Sequence, residues 1–266
     1  MTTIPFMPRR FRTAAAHYLQ GRAPYAAGLF PRIARICGLG PEHRVMDLGC
    51  GPGQIAAALA PFAGEVVGID PEPEMLAVAA ETAERAGVRV TLRQGSSYDL
   101  GPELGRFRLV TMGRSFHWMD RVETLRRLDT MIDPEGAVVL VHDDHPKVPD
   151  NRWAMPFRDL IERYAGGDSA RAMLRSPDWL NHTAVLLDSP FSRLEEVAVI
   201  ERRRIPTETL IDRALSMSGT APERIGDRTA ALIAEIEGLM TEYEVDGMVT
   251  EVVTSSALIA RRPEAD

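Results

Sequence analysis

The sequence predicts a doubly wound α/β fold built on a mostly parallel sheet. Three observations lead there. Short apolar runs alternate with helix-length segments from residue 44 to about 145; the first of these runs, "HRVMDLG", stops in a glycine-rich turn; and 266 residues suffice for one large α/β domain with an insertion. The hydrophobic share of 45% and the charged share of 26% are those of an ordinary folded chain, and no repeat or low-complexity linker interrupts it.

In chain order, "TAAAHYLQGRAPYAAGLFPRIARICGLG" reads as helical segments, broken near Gly21 to Pro24 and stopped at Gly38 and Gly40. Then "HRVMDLG" reads as strand, "GQIAAALAPF" as helix, "EVVGID" as strand, "EPEMLAVAAETAERAG" as helix and "VRVTLRQG" as strand. "RFRLVTMG", "RVETLRRLDTMI" and "GAVVLVHD" continue the alternation as strand, helix and strand. Right-handed crossovers between such strands make the sheet parallel and cover both its faces. From Pro146 to about Pro190 the rhythm breaks into aromatic-bearing helices, which reads as an inserted cap. Beyond it, "SRLEEVAVIERRRI" and "MVTEVVTSSALIARR" read as two more strands, with helices between them.

The net charge of −7 argues against a general affinity for nucleic acid, which rests on clustered cations, and favours a small-molecule partner. Lys147 is the one lysine, so neither a Walker-A phosphate loop nor a Schiff base is expected. Cys37 and Cys50 lack metal-type spacing and point to a reducing cytoplasm. The start of the chain lacks the apolar centre of a signal peptide, and no run of 18 apolar residues occurs, so neither secretion nor membrane spanning is expected.

The chemistry is read from "VMDLGCGPGQ", residues 45–54. In a doubly wound sheet the first strand-to-helix turn faces the ligand crevice; glycines there let a ligand touch main chain, and the opening N–H groups of the next helix favour an anionic group. Dinucleotide folds require G-x-G-x-x-G/A, whereas this turn has Gly49, Gly51 and Gly53, and Gln54 stands where the third glycine would fall. "VMDLGCGPG" resembles motif I of the class I S-adenosylmethionine-dependent methyltransferases, an acidic residue followed by G-x-G-x-G. That resemblance implies a Rossmann-like sheet of seven strands with the last antiparallel, and S-adenosylmethionine as cofactor. Its methionyl part would be wrapped by Gly49, Gly51 and Gly53, with Asp47 helping to neutralise the α-ammonium.

Asp70 ends the second strand, where a carboxylate can accept both ribose hydroxyls, or else cap the following helix. After the third strand, "RQGSSYDL" has Ser96 where the family often has an adenine-binding aspartate; Ser96 or Ser97 would meet the adenine edge, or the stretch is a serine-rich turn. "SFHWMD", residues 115–120, and "YLQGRAPY" resemble the small-molecule branch that includes trans-aconitate methyltransferase, in which a segment before motif I closes over the cofactor. The expected organisation is thus an N-terminal helical lid segment over 1–40, a cofactor-binding core over 41–145, a helical cap over 146–190 and completion of the sheet over 191–266.

His117 is the candidate general base, or a histidine that orients its loop; a carboxylate acceptor would need no base. Phe116 and Trp118, together with Tyr18, Arg22 and Tyr25 of the lid segment, are candidates for the acceptor pocket, or else core and surface. "HDDHP" raises a metal site, but strand alternation sends His142 and Asp144 to one side and Asp143 and His145 to the other, so no metal is expected and His145 is assigned to the acceptor entrance. Trp153, Tyr164 and Trp179 line a lid over an apolar acceptor or form the lid's own core. The resulting expectation is O-methylation of a small metabolite by a cytoplasmic monomer or homodimer. The alternatives are a non-catalytic S-adenosylmethionine-binding partner subunit, favoured by Ser96 and by Arg108 where the branch often has an acid, and an NAD(P)-dependent oxidoreductase.

Overall fold

The computed structural model describes residues 21, 24–166, 169–174 and 176–264. Helix α1 (Leu29–Ile36) precedes β1 (Arg44–Leu48), α2 (Gln54–Leu59), β2 (Glu65–Asp70), α3 (Pro73–Arg85), β3 (Thr91–Gln94), β4 (Phe107–Gly113), α4 (Arg121–Met131) and β5 (Ile132–Asp144). There follow α5 (Ala154–Tyr164), α6 (Ser169–Leu174), α7 (His182–Leu187), β6 (Arg193–Pro206), α8 (Glu208–Leu215), α9 (Pro222–Ile225), α10 (Thr229–Met240) and β7 (Met248–Arg261). The seven strands form one sheet in the order β3-β2-β1-β4-β5-β7-β6, and β7 pairs antiparallel with both β5 and β6. The Rossmann-like sheet with an antiparallel last strand is therefore the fold of this chain.

Alternation along the strands splits the core between two faces. Met46, Leu48, Val67, Ile69 and Val110 pack on one side with Leu125 and Leu128 of α4 and Leu186 of α7. Val45, Val66, Leu109 and Val139 pack on the other side with Leu29 and Ile33 of α1 and Ile55 and Leu59 of α2. Local chemistry starts the helices: the Asp120 carboxylate accepts from the Glu123 N–H at 3.1 Å to cap α4, and Asn181 caps α7 through the Ala184 N–H. Pro73 opens α3, where its missing N–H costs nothing.

A third core holds Trp153, Phe157 and Leu160 of the α5 region with Leu210, Leu232, Ile236 and Met240 of α8 and α10, and with Ile205 and Val249 at the ends of β6 and β7. Helix α5 before β6 and helices α8 and α10 after it thus pack as one body, although more than 40 residues of sequence separate α5 from α8. Trp153 and Tyr164 are buried in that core, while the Trp179 ring stacks under the Arg121 guanidinium at 3.8 Å. Among the described residues, no helix is long and apolar enough to cross a membrane.

Candidate functional site

The strand order reverses between β1 and β4, and the crevice lies outside the carboxyl ends of those two strands. Gly49, Gly51 and Gly53 all take positive φ, at 68°, 50° and 76°. The turn is sewn to β2: the Gly49 and Cys50 N–H groups donate to the Ile69 carbonyl at 2.7 and 3.0 Å. The three glycines face different surroundings. A Cβ on Gly49 would stand 2.6 Å from the Ser115 Cβ and one on Gly53 2.9 Å from the Ala79 Cβ, whereas one on Gly51 would meet nothing within 4 Å. Packing accounts for Gly49 and Gly53. Gly51 instead leaves open space over bare main chain.

Asp47 and Asp70 hold this turn from below. The β1–β4 register sets Asp47 opposite Thr111, whose hydroxyl donates to Oδ1 at 2.9 Å, and the Ala56 N–H in the first turn of α2 donates to Oδ2 at 3.1 Å. Burial pushes the Asp47 carboxyl up to about 7, against the lowering by those two donors. Asp70, also buried, accepts from the Gly51 N–H at 2.8 Å and the Glu72 N–H at 3.0 Å, and burial raises it to about 6. Each Asp70 oxygen keeps a second lone pair for a ribose hydroxyl.

The raised values carry a sign. Between the ordinary carboxylate value near 4 and the folded value near 7, the native state binds the Asp47 proton and the unfolded chain does not, so this group's contribution to stability is lost as pH rises through that window. Asp47→Asn should therefore match or exceed the wild type in melting temperature at pH 8 and lose that advantage below pH 6. A difference that stays constant across calorimetric scans from pH 5 to 8 would contradict the assignment.

After β3, Ser96 and Asp99 form a capping box. The Ser96 N–H and hydroxyl both donate to Asp99 Oδ2, at 2.7 and 2.8 Å, and the Ser96 oxygen accepts from the Tyr98 N–H. These bonds hold the Asp99 carboxyl below its usual value. Ser97 is buried within this turn. After β4, the Ser115 hydroxyl donates to the Leu48 carbonyl at 2.9 Å, which docks the 116–118 turn against the glycine turn. Phe116 is buried; the partly exposed His117 ring lies 4.5 Å from Trp118 and stacks on His182 at 6.2 Å. Burial, then Arg121 and His142, lowers His182 to about 4, so this neighbour is neutral.

Tyr25 reaches the same crevice: its hydroxyl accepts from Arg114 Nε at 2.7 Å, and Arg114 Nε also pairs with Asp143 at 3.1 Å. Tyr18 and Arg22 lie outside the described residues. His142 contacts the Ser256 hydroxyl at 3.1 Å, whereas His145 Nε2 meets Glu251 at 2.6 Å and its ring lies 5.5 Å from Trp153. Among the described residues, no group of three or more His, Cys, Asp or Glu is placed to hold a metal ion. Sequence reasoning overlooked Arg203, Arg213 and Glu251, which join His145 from three separate segments. Signals for two of them existed: Arg203 is the middle of three arginines in a strand, hence the one facing inward, and Glu251 is the one acid in the strand-like run "MVTEVVTSSALIARR".

Residues 45–136 match the methyltransferase domain family. The matched segment makes up about a third of the chain. The open main chain at Gly51 and the remaining acceptor capacity of Asp70 fit S-adenosylmethionine, the cofactor that the motif I resemblance implies. The ubiquinone biosynthesis O-methyltransferase of Azorhizobium caulinodans is 37% identical over 98 residues, a match spanning 36% of this chain and 39% of that enzyme. An uncharacterised methyltransferase of Mycobacterium tuberculosis is 25% identical over 239 residues, 86% of each chain. The methyltransferase fold extends over the whole chain in a Geobacter sulfurreducens S-adenosylmethionine-dependent methyltransferase solved with S-adenosylhomocysteine, with a TM-score of 0.54, 20% identity and coverage of 99% of this chain and 100% of that one.

Proposed function

We propose that this chain transfers the methyl group of S-adenosylmethionine to an oxygen, carboxylate or hydroxyl, of a small metabolite, acting in the cytoplasm as a monomer or homodimer. The observation that carries this reading is the open left-handed turn at Gly51, braced by Asp70 at the switch point of the sheet. When bound, the cofactor supplies a sulfonium methyl group for in-line displacement. The protein's own task is to align and to exclude water, because near-attack placement at ~3–3.5 Å accounts for much of the acceleration. In this reading the Gly49 to Gly53 main chain receives the α-carboxylate, Asp70 accepts from the ribose hydroxyls, and the Ser96–Ser97 turn meets the adenine edge.

Phe116 forms the floor of the acceptor pocket, with Trp118 and Tyr25 as walls. His117 takes the proton of an acceptor hydroxyl, with the neutral His182 ring behind it. Similarity of the "SFHWMD" run to the trans-aconitate methyltransferase branch, and the net charge of −7, support a free metabolite rather than a macromolecule as acceptor.

The test is S-adenosylhomocysteine formation across a panel of hydroxylated and carboxylated metabolites. Turnover on no member, with the cofactor bound, would favour a non-catalytic binding protein instead. On a hydroxyl acceptor, His117→Ala should lower kcat by about 100-fold or more with little change in KM, the usual reach of general-base catalysis. An unchanged kcat would remove His117 from the chemistry.

A further inference from the structure

Where β5, β6 and β7 meet at the crevice end of the sheet, two arginines share one carboxylate. Glu251, fully buried on β7, accepts from Arg203 Nε, Arg213 Nη1 and His145 Nε2, each at 2.6 Å. Arg203 Nη1 also donates to the Pro24 carbonyl at 3.1 Å; Arg213 Nε donates to the Gly21 carbonyl at 3.0 Å, and its Nη1 lies 3.5 Å from His145 Nε2. The remaining nitrogen of each guanidinium, Arg203 Nη2 and Arg213 Nη2, is buried and meets no hydrogen-bond acceptor among the described residues. The Arg213 side chain is only 7% exposed. Two guanidinium charges thus face one carboxylate, each with a donor aimed at no acceptor, an arrangement that is costly in a folded protein unless an anion completes it.

Among the described residues, Glu251 is the one carboxylate paired with either arginine. The Gly21 and Pro24 carbonyls cover the pair, yet the first acidic residue of the sequence is Glu42. At the other end of the chain, Glu264 pairs with Arg193, which sits opposite Arg261 at the far end of β6 from Arg203. Contacts run continuously from the pair to the glycine turn. Pro24 is followed by Tyr25, which holds Arg114, and the next residue, Ser115, packs on Gly49.

We propose that Arg203 and Arg213 form an oxyanion subsite that receives a carboxylate or phosphate group of the methyl acceptor, apart from the oxygen that is methylated. Guanidinium groups suit either anion, since both accept paired, charge-assisted hydrogen bonds. The assignment of this anion to the acceptor rests on the methyl-transfer reading; the anion site itself does not.

The experiment is calorimetric titration of the protein, with and without S-adenosylhomocysteine, using benzoate, phenyl phosphate and the neutral benzamide as probes. At least one acid is expected to bind about tenfold or more tightly than benzamide, and the tighter of the two identifies carboxylate or phosphate as the preferred group. Arg213→Gln should abolish the preference and Arg213→Lys should restore part of it. Should Arg213→Gln fail to fold by circular dichroism, the less buried Arg203→Gln carries the same comparison. Acids that bind no better than benzamide, or a preference that survives both glutamine variants, would overturn the subsite. Failure of S-adenosylhomocysteine alone to bind would overturn the methyl-transfer reading and leave the anion titration to stand by itself.

Discussion

Gly51→Val is expected to weaken S-adenosylhomocysteine binding by at least about 100-fold while the protein stays folded. The added side chain enters space that no protein atom occupies within 4 Å of its Cβ, so the penalty to the fold is confined to the left-handed backbone. That strain amounts to roughly 1–2 kcal/mol, a fall of several degrees in melting temperature for a chain of this size. The cofactor would lose main-chain contact along the whole turn, since even a small displacement at such a close approach removes several hydrogen bonds together.

Gly53→Val makes the contrast. Its Cβ would press to 2.9 Å from the Ala79 Cβ and 3.2 Å from the Ala79 Cα, so it should unfold the α2–α3 contact rather than act through the ligand. Calorimetric binding together with thermal melts separates the two outcomes. Full affinity in Gly51→Val would mean that the turn only joins β1 to α2.

Glu251→Ala is expected to produce the largest loss of stability among single changes at the crevice end of the sheet. Among the described residues, Glu251 is the one acceptor shared by Arg203, Arg213 and His145. Burial opposes its charge, yet the His145 hydrogen bond and the two arginines hold its carboxyl well below the usual carboxylate range. Removing one member of such a buried network leaves the others uncompensated, at a cost of about 3–5 kcal/mol, or roughly 10 °C in melting temperature. Because Arg203 and Arg213 also hold the Pro24 and Gly21 carbonyls, the loss should extend to the N-terminal segment and show as faster hydrogen exchange around Tyr25 and Ala26. A melting temperature within about 2 °C of wild type would show that the network contributes little to the folded state.

The sequence by itself determined the strands and their surroundings, because both are written in local periodicity. Apolar runs such as "HRVMDLG" need burial on two faces, and the spacing of Gly49, Gly51 and Gly53 after such a run suffices to locate the turn and to exclude the dinucleotide pattern. The inward position of Arg203 was legible in the same way, from alternation within "ERRRI". Tertiary structure alone decided which glycine faces open space, since Gly49 and Gly53 are set against Ser115 and Ala79 by strand order and helix packing, neither of which is encoded within ten residues of the turn. It alone also joined α5 to α8 and α10, and brought His145, Arg203 and Arg213 around the Glu251 carboxylate. Those contacts bridge segments up to 106 residues apart, and long-range contacts of that kind follow from closing the sheet and burying its end, not from any local pattern.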